Sequence, residues 1–248
     1  MGSGNTAIIN GSVVSREFAS SVAASGPAKT KLFPLGQFSK IASEIPVDML
    51  WTQGAPHAEL TGTVLDQINM EVIGDTLHLT TQGGYNTHPA VARVQSGQLN
   101  AVQQTGFGCI RAEGVDAPDF GVTLTGSGTV TVSGKAQRLE VQVTGSGQVE
   151  GYGDFDTTSL HINGSGGVVC EKTRKAEVLL NGSGMIKVLA DDHVQGSVNG
   201  SGTLLVDGPS PTLNVITAGS GSVSRYKSAR RFVDAPPPAS PPPKDIEF

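Results

Sequence analysis

The sequence predicts an all-β protein built around a right-handed parallel β-helix of about seven coils of 18–20 residues, behind a β-rich N-terminal lead-in. Three observations carry that reading. A glycine triplet starts at Gly106 (as Gly-Phe-Gly), Gly126, Gly145, Gly164, Gly182, Gly200 and Gly219, so its spacing is 20, 19, 19, 18, 18 and 19 residues. A fixed period of this size is the signature of stacked repeats. Apolar residues hold constant offsets from the triplets, and the composition agrees. With 33 glycines, 5% aromatic and 16% charged residues, the chain suits tight turns and short strands rather than a helical bundle.

Taken in order, residues 1–35 read as an N-terminal extension, part of it flexible. Within it Gly2-Ser3-Gly4 and Asn10-Gly11-Ser12 echo the repeat without completing a coil. Residues 36–105 lack the triplet but keep strand character. Ile45-Pro46-Val47-Asp48-Met49-Leu50-Trp51 and Thr76-Leu77-His78-Leu79-Thr80 alternate with period two. Gly74-Asp75 reads as a hairpin turn and residues 64–68 as one helical turn. This stretch is expected to cover the open N-terminal end of the solenoid, because a bare terminal coil invites edge-to-edge association.

Residues 106–233 form the repeat. Four positions after each first glycine stand Ile110, Val130, Val149, Val168, Ile186, Leu204 and Val223; six after stand Ala112, Val132, Gly151, Cys170, Val188 and Val206. Two before the next triplet come Leu124, Val143, Ile162, Leu180, Val198 and Thr217, and four before come Val122, Val141, Leu160, Val178, Gly196 and Val215. Each coil is therefore expected to hold two short inward-facing strands in a flattened cross-section. Neighbouring coils would lie about 4.8 Å apart, and the preference of parallel crossovers sets the hand.

The triplet is the corner, since glycine reaches positive φ freely and asparagine tolerates the left-handed region. Asn163, Asn181 and Asn199 precede three triplets and are expected to bond from coil to coil as an amide ladder. Ser127, Ser146, Ser165, Ser183, Ser201 and Ser220 would form a second polar column. The row is read as a turn ladder, with a carbohydrate-binding stripe as its functional alternative. At the opposite corner the sign of charge alternates: Lys135 and Arg138, Asp154 and Asp156, Arg174 and Lys175, Asp191 and Asp192. Pairs one coil apart would fix the register. Arg225 interrupts the inner column, and with Lys227, Arg230 and Arg231 it reads as a polar cap, with a basic patch for an anionic partner as its functional alternative. Residues 234–248, with two Pro-Pro-Pro runs, read as an extended tail.

Several chemistries are disfavoured. The formal net charge of −5, without a basic stripe, argues against nucleic-acid binding. No apolar run approaches the roughly 20 residues of a bilayer span. The N-terminal stretch shows no apolar core of a secretory signal, which reads either as a cytoplasmic protein or as one whose signal has been removed. Cys109 and Cys170 lie three coils apart, too far to bridge, and Cys170 reads as a buried small hydrophobe. The triplets are followed by Cys109, Thr129, Gln148, Gly167, Met185, Thr203 and Ser222, not by the aspartates of calcium-binding solenoids. The histidines show no ligand spacing, so no metal or cofactor is expected. The one weak candidate surface site is Asp154, Asp156, Asp191 and Asp192 with His193. With Arg174 and Lys175 between them, ion pairing explains these residues more simply than acid/base catalysis.

From about Phe38 to Tyr226 the chain resembles the head GIN domain, a bacterial family of unknown function labelled an auto-transporter adhesin head. The resemblance rests on Phe38-Ser39-Lys40-Ile41, on the run from Ile45 through Trp51-Thr52-Gln53-Gly54, on Asp75-Thr76-Leu77-His78-Leu79, and on the Thr/Asn-Gly-Ser-Gly triplets. It implies a right-handed β-helix at the cell surface or envelope with no established catalytic residues. The leading functional expectation is a non-enzymatic binding or assembly scaffold, adhesin-like, that presents solenoid faces to a glycan or protein. The alternatives are a carbohydrate-active β-helix enzyme, lyase or hydrolase, and a module that self-assembles end to end into homo-oligomers.

Overall fold

The computed structural model describes residues 28–63, 65–81, 90–209 and 211–225, together with the backbone of a short antiparallel pair, β1 (Ile8–Ile9) and β2 (Ser12–Val13). The Pro-rich tail, the segment with Lys227, Arg230 and Arg231, and most of the N-terminal extension lie outside the described residues. What is described is a parallel β-solenoid of about seven turns, almost entirely strand. Its body is β11 (Cys109–Gly126), β12 (Thr129–Gly145), β13 (Gln148–Gly164), β14 (Gly167–Gly182) and β15 (Met185–Gly200), followed by β16 (Thr203–Asp207), β17 (Thr212–Gly219) and β18 (Ser222–Arg225). Every neighbouring pair is parallel, so the inner positions stack into ladders.

Each coil has three inward runs, not the two expected. In β11 they are Ile110 and Ala112, then Val115 and Ala117, then Phe120, Val122 and Leu124, all buried. The middle run is short and chemically mixed: Ala117, Ala136, Phe155, Thr173 and Ala190 line it in successive coils. Phe155 packs beside Gly151, whose missing side chain leaves the space the ring fills. The alternation changes phase at each corner, which hides this third face from a count anchored on the triplets.

The lead-in extends two of the faces. The sheet that follows the triplet runs from β11 to β5 (Val47–Gln53), β9 (Ala90–Ser96), β6 (His57–Gly62) and β3 (Lys29–Pro34). The sheet that precedes it runs from β11 to β10 (Ala101–Gly106), β4 (Lys40–Ser43), β8 (Thr76–Thr81) and β7 (Ile68–Ile73). A 3-10 turn (Leu65–Gln67) enters β7, and Gly74 at φ +66° turns β7 into β8. Pairing switches to antiparallel only at the outermost strands, where the β7–β8 hairpin closes one sheet and β6 and β3 close the other. β3 falls wholly in the stretch read as an extension. It is an exposed edge carrying Lys29, Lys31 and Pro34, residues that discourage further strand addition.

Row order here is not chain order. β4 and β5 lie between strands that come some fifty residues later: β10 covers β4 on one face, and β9 underlies β5 on the other. Two buried polar groups pin the arrangement. Trp51 Nε1 donates to Ser96 Oγ at 2.9 Å, tying β5 to β9. Gln104, fully buried, donates through Nε2 to the Phe107 carbonyl at 2.5 Å and reaches the Ile45 carbonyl at 3.5 Å. At the other end, Leu213, Val215 and Val223 are only partly covered. Arg225 pairs in register with Val206, and its Nη2 donates to the Pro211 carbonyl at 2.9 Å, placing the guanidinium across the last coil.

Candidate functional site

Two edges of the solenoid carry the residues singled out from the sequence. At the triplet edge the first glycines have φ between +90° and +132°. The N–H groups of Ser127, Ser146, Ser165, Ser183 and Ser201 each donate to the carbonyl of the first glycine of the coil beneath, for example Ser146 to Gly126 at 2.9 Å and Ser201 to Gly182 at 3.0 Å. Close stacking is the reason for glycine here: a Cβ at Gly145 would lie 2.6 Å from the Gly126 carbonyl oxygen. Beside this column Asn181 Nδ2 donates to Asn163 Oδ1 at 3.0 Å, and Asn199 Nδ2 to Asn181 Oδ1 at 2.9 Å. Ser127, Ser146, Ser165, Ser183, Ser201 and Ser220 are all exposed.

The second edge borders the middle face and holds a groove of about 550 Å³ lined by charged side chains over a floor that includes Ala117, Ala136, Phe155 and Thr173. Asp116, Lys135 and Asp154 are register partners in successive coils. Lys172 bonds Asp154, and Arg174 bridges Asp156 (Nε to Oδ1, 2.5 Å) and Asp192 (3.4 Å). Arg138 turns the other way, to Asp119 at 3.9 Å. Asp191 lines the groove, and His193 Nε2 lies 3.3 Å from Gln195 Oε1.

The structure thus puts Asp154 and Asp156 on one coil and Asp191 and Asp192 two coils on, with cations between the pairs. The hydrogen bond from Lys172 holds the Asp154 carboxyl below its ordinary range, and the bond from Arg174 does the same for Asp156. Asp154 in turn raises the Lys172 ammonium. Lys172 and Asp116 were missed from the sequence. The signal was available, because Asp116, Lys135, Asp154 and Lys172 follow one another at 19, 19 and 18 residues, the period of the repeat itself.

Neither cysteine is oxidised. Cys170 is buried, and desolvation pushes its thiol up to about 12; Cys109 faces outward, half-buried, also with a raised thiol. Among the described residues no cluster of His, Cys, Asp and Glu could hold a metal ion, and no helix is long and apolar enough to cross a membrane.

With this geometry in place, comparison with known proteins identifies the family. Residues 37–210 match the family described as "Putative auto-transporter adhesin, head GIN domain". The chain belongs to it. Solved structures share the fold. A "putative adhesin" from Bacteroides fragilis NCTC 9343 superposes with a TM-score of 0.73 at 22% identity, covering 82% of this chain and 98% of its own. A "putative adhesin" from Parabacteroides merdae ATCC 43184 gives 0.62 at 18% identity, over 82% and 97%. A "putative lipid binding protein" from Parabacteroides distasonis ATCC 8503 gives 0.59 at 24%, over 82% and 98%. No curated protein matches the chain.

Proposed function

We propose that this GIN-domain protein is an adhesin-like, non-enzymatic scaffold of the cell surface or envelope, presenting its solenoid surfaces to a glycan or protein partner. The observation that carries the reading is the pairing state of the charged groove. Cleavage of a glycosidic bond needs one carboxyl kept protonated by a raised pKa, standing opposite a second, free carboxylate. Here Asp154 and Asp156 are shifted downward by Lys172 and Arg174, the wrong direction for a general acid, and Asp192 shares Arg174. The groove's charges serve each other, as register pairs do. Membership of an adhesin-labelled family and a fold shared with proteins titled adhesins support the same reading.

The test is binding of the full chain to a glycan array, with reducing-sugar release assayed on the same polysaccharides and pull-down from surface-protein extracts in parallel. Binding without release supports the scaffold. Release that disappears on Asp154→Asn or Asp192→Asn would replace it with an enzyme.

A further inference from the structure

The triplet edge carries chemistry that the fold does not consume. The serine backbone N–H groups hold the turns, but none of the six hydroxyls meets a hydrogen-bond partner among the described residues. Asn181 and Asn199 both donate toward the preceding coil, which leaves the Asn163 amide nitrogen open at one end of the ladder and the Asn199 carbonyl oxygen at the other. Exposed Thr125 and Thr144 continue that column. No Asp, Glu, Lys or Arg occurs within two residues of the centre of any triplet from Thr105 to Ser222, although 16% of the chain is charged. Where the first triplet replaces serine, Phe107 stands 61% exposed at the end of the row.

These features select a ligand. An uncharged stripe offers no Coulomb attraction to an anionic polymer or to a lipid headgroup. A protein partner would be anchored by a central aromatic or aliphatic cluster, and the stripe's one aromatic sits at its end. What the stripe offers is hydroxyls and amides repeated at about 4.8 Å, a pitch close to the rise per sugar of an extended β-linked hexose chain. Each sugar would then sit over one Ser and Thr/Asn step, alternate sugars presenting the same edge because an extended β-linked chain is flipped at each residue, with a sugar face free to stack on Phe107. Resting on the adhesive reading above, we propose that the triplet edge binds a neutral polysaccharide lying along the solenoid axis.

The probes are a linear neutral β-glucan and β-mannan, with polygalacturonate as the anionic comparison, titrated against the full chain at low and high salt. The expected result is binding to at least one neutral polymer that persists at high salt. Ser165→Ala/Ser183→Ala/Ser201→Ala should weaken it about tenfold, the loss of roughly 1.4 kcal/mol of hydrogen bonding, with the unfolding midpoint unchanged. Lys172→Gln in the groove should leave it intact. Binding to polygalacturonate alone, abolished by salt, would overturn the proposal in favour of the groove, and so would neutral-polymer binding unaltered in the triple variant. If no neutral polymer binds while the chain still captures a surface protein, the edge proposal fails and the scaffold reading stands.

Discussion

At the triplet edge the chain is turned by its backbone; at the charged edge its coils are matched by side chains. The first glycines sit under the carbonyls of the preceding coil, and the pairing of residues 120–126 with their successors continues unbroken through every later coil. All the variation in repeat length is absorbed elsewhere. The register shifts at Glu113/Val115, where Gly114 is the extra residue. It shifts again at Gly151/Phe155, where β14 has one residue fewer, and around Thr173. The 20-, 19- and 18-residue coils therefore differ only beside the groove. A wall made of backbone contacts cannot change length without losing them all, whereas a wall of side-chain pairs can re-partner.

Four substitutions would break or sharpen this contrast. The largest effect is expected for Gly182→Ala, because the new Cβ would overlap the Gly164 carbonyl oxygen at φ +124°. A loss of more than about 3 kcal/mol in urea unfolding is expected. Gly114→Ala makes the same chemical change at φ +74° with nothing within contact distance. It should cost only the left-handed penalty of about 1–2 kcal/mol, and equal losses at the two positions would erase the distinction between the edges. Asn181→Ala removes both amide bonds of the ladder and should cost about 1 kcal/mol by the same measurement.

Asp154→Asn/Asp156→Asn should change stability least at neutral pH. Both carboxyls have folded-state pKa values below their ordinary ones. Their contribution is present above the unfolded value near 3.9 and lost as pH falls through the lowered folded values. The double variant should therefore show a shallower acid transition below about pH 4, and added salt should narrow the gap between it and the parent. Identical acid transitions would mean that the groove pairs do not hold the register.

The inner columns next to the triplets were legible because Val, Ile and Leu alternate there with polar residues at fixed offsets. The third face was not, since Ala117, Ala136, Phe155, Thr173 and Ala190 share no size or polarity, and corners reset the phase on both sides. The sign alternation was legible, but not who pairs with whom. The residue missing between Cys170 and Thr173 puts Lys172, not Arg174, beside Asp154. Nothing local announced that β4 and β5 slot between later strands, because that pairing joins segments with no self-similarity. The serine hydroxyls were visible as a column, but that they meet no partner among the described residues follows only from the folded arrangement.

The out-of-order rows at the N-terminal end have a consequence for how the molecule is made. A ribosome delivers β4 and β5 first, but the strands that flank them, β8 and β10 for β4 and β9 and β11 for β5, arrive only once a further stretch has been synthesised. Until then both segments keep bare edges, and the long closure must be completed before its contacts stabilise anything. Beyond β11 each new coil finds its template already in place and adds by nearest-neighbour contact. Assembly therefore has a slow, committed start and an easy continuation. Coils can be gained or lost by whole-repeat duplication or deletion between triplets without disturbing the interleaved foundation.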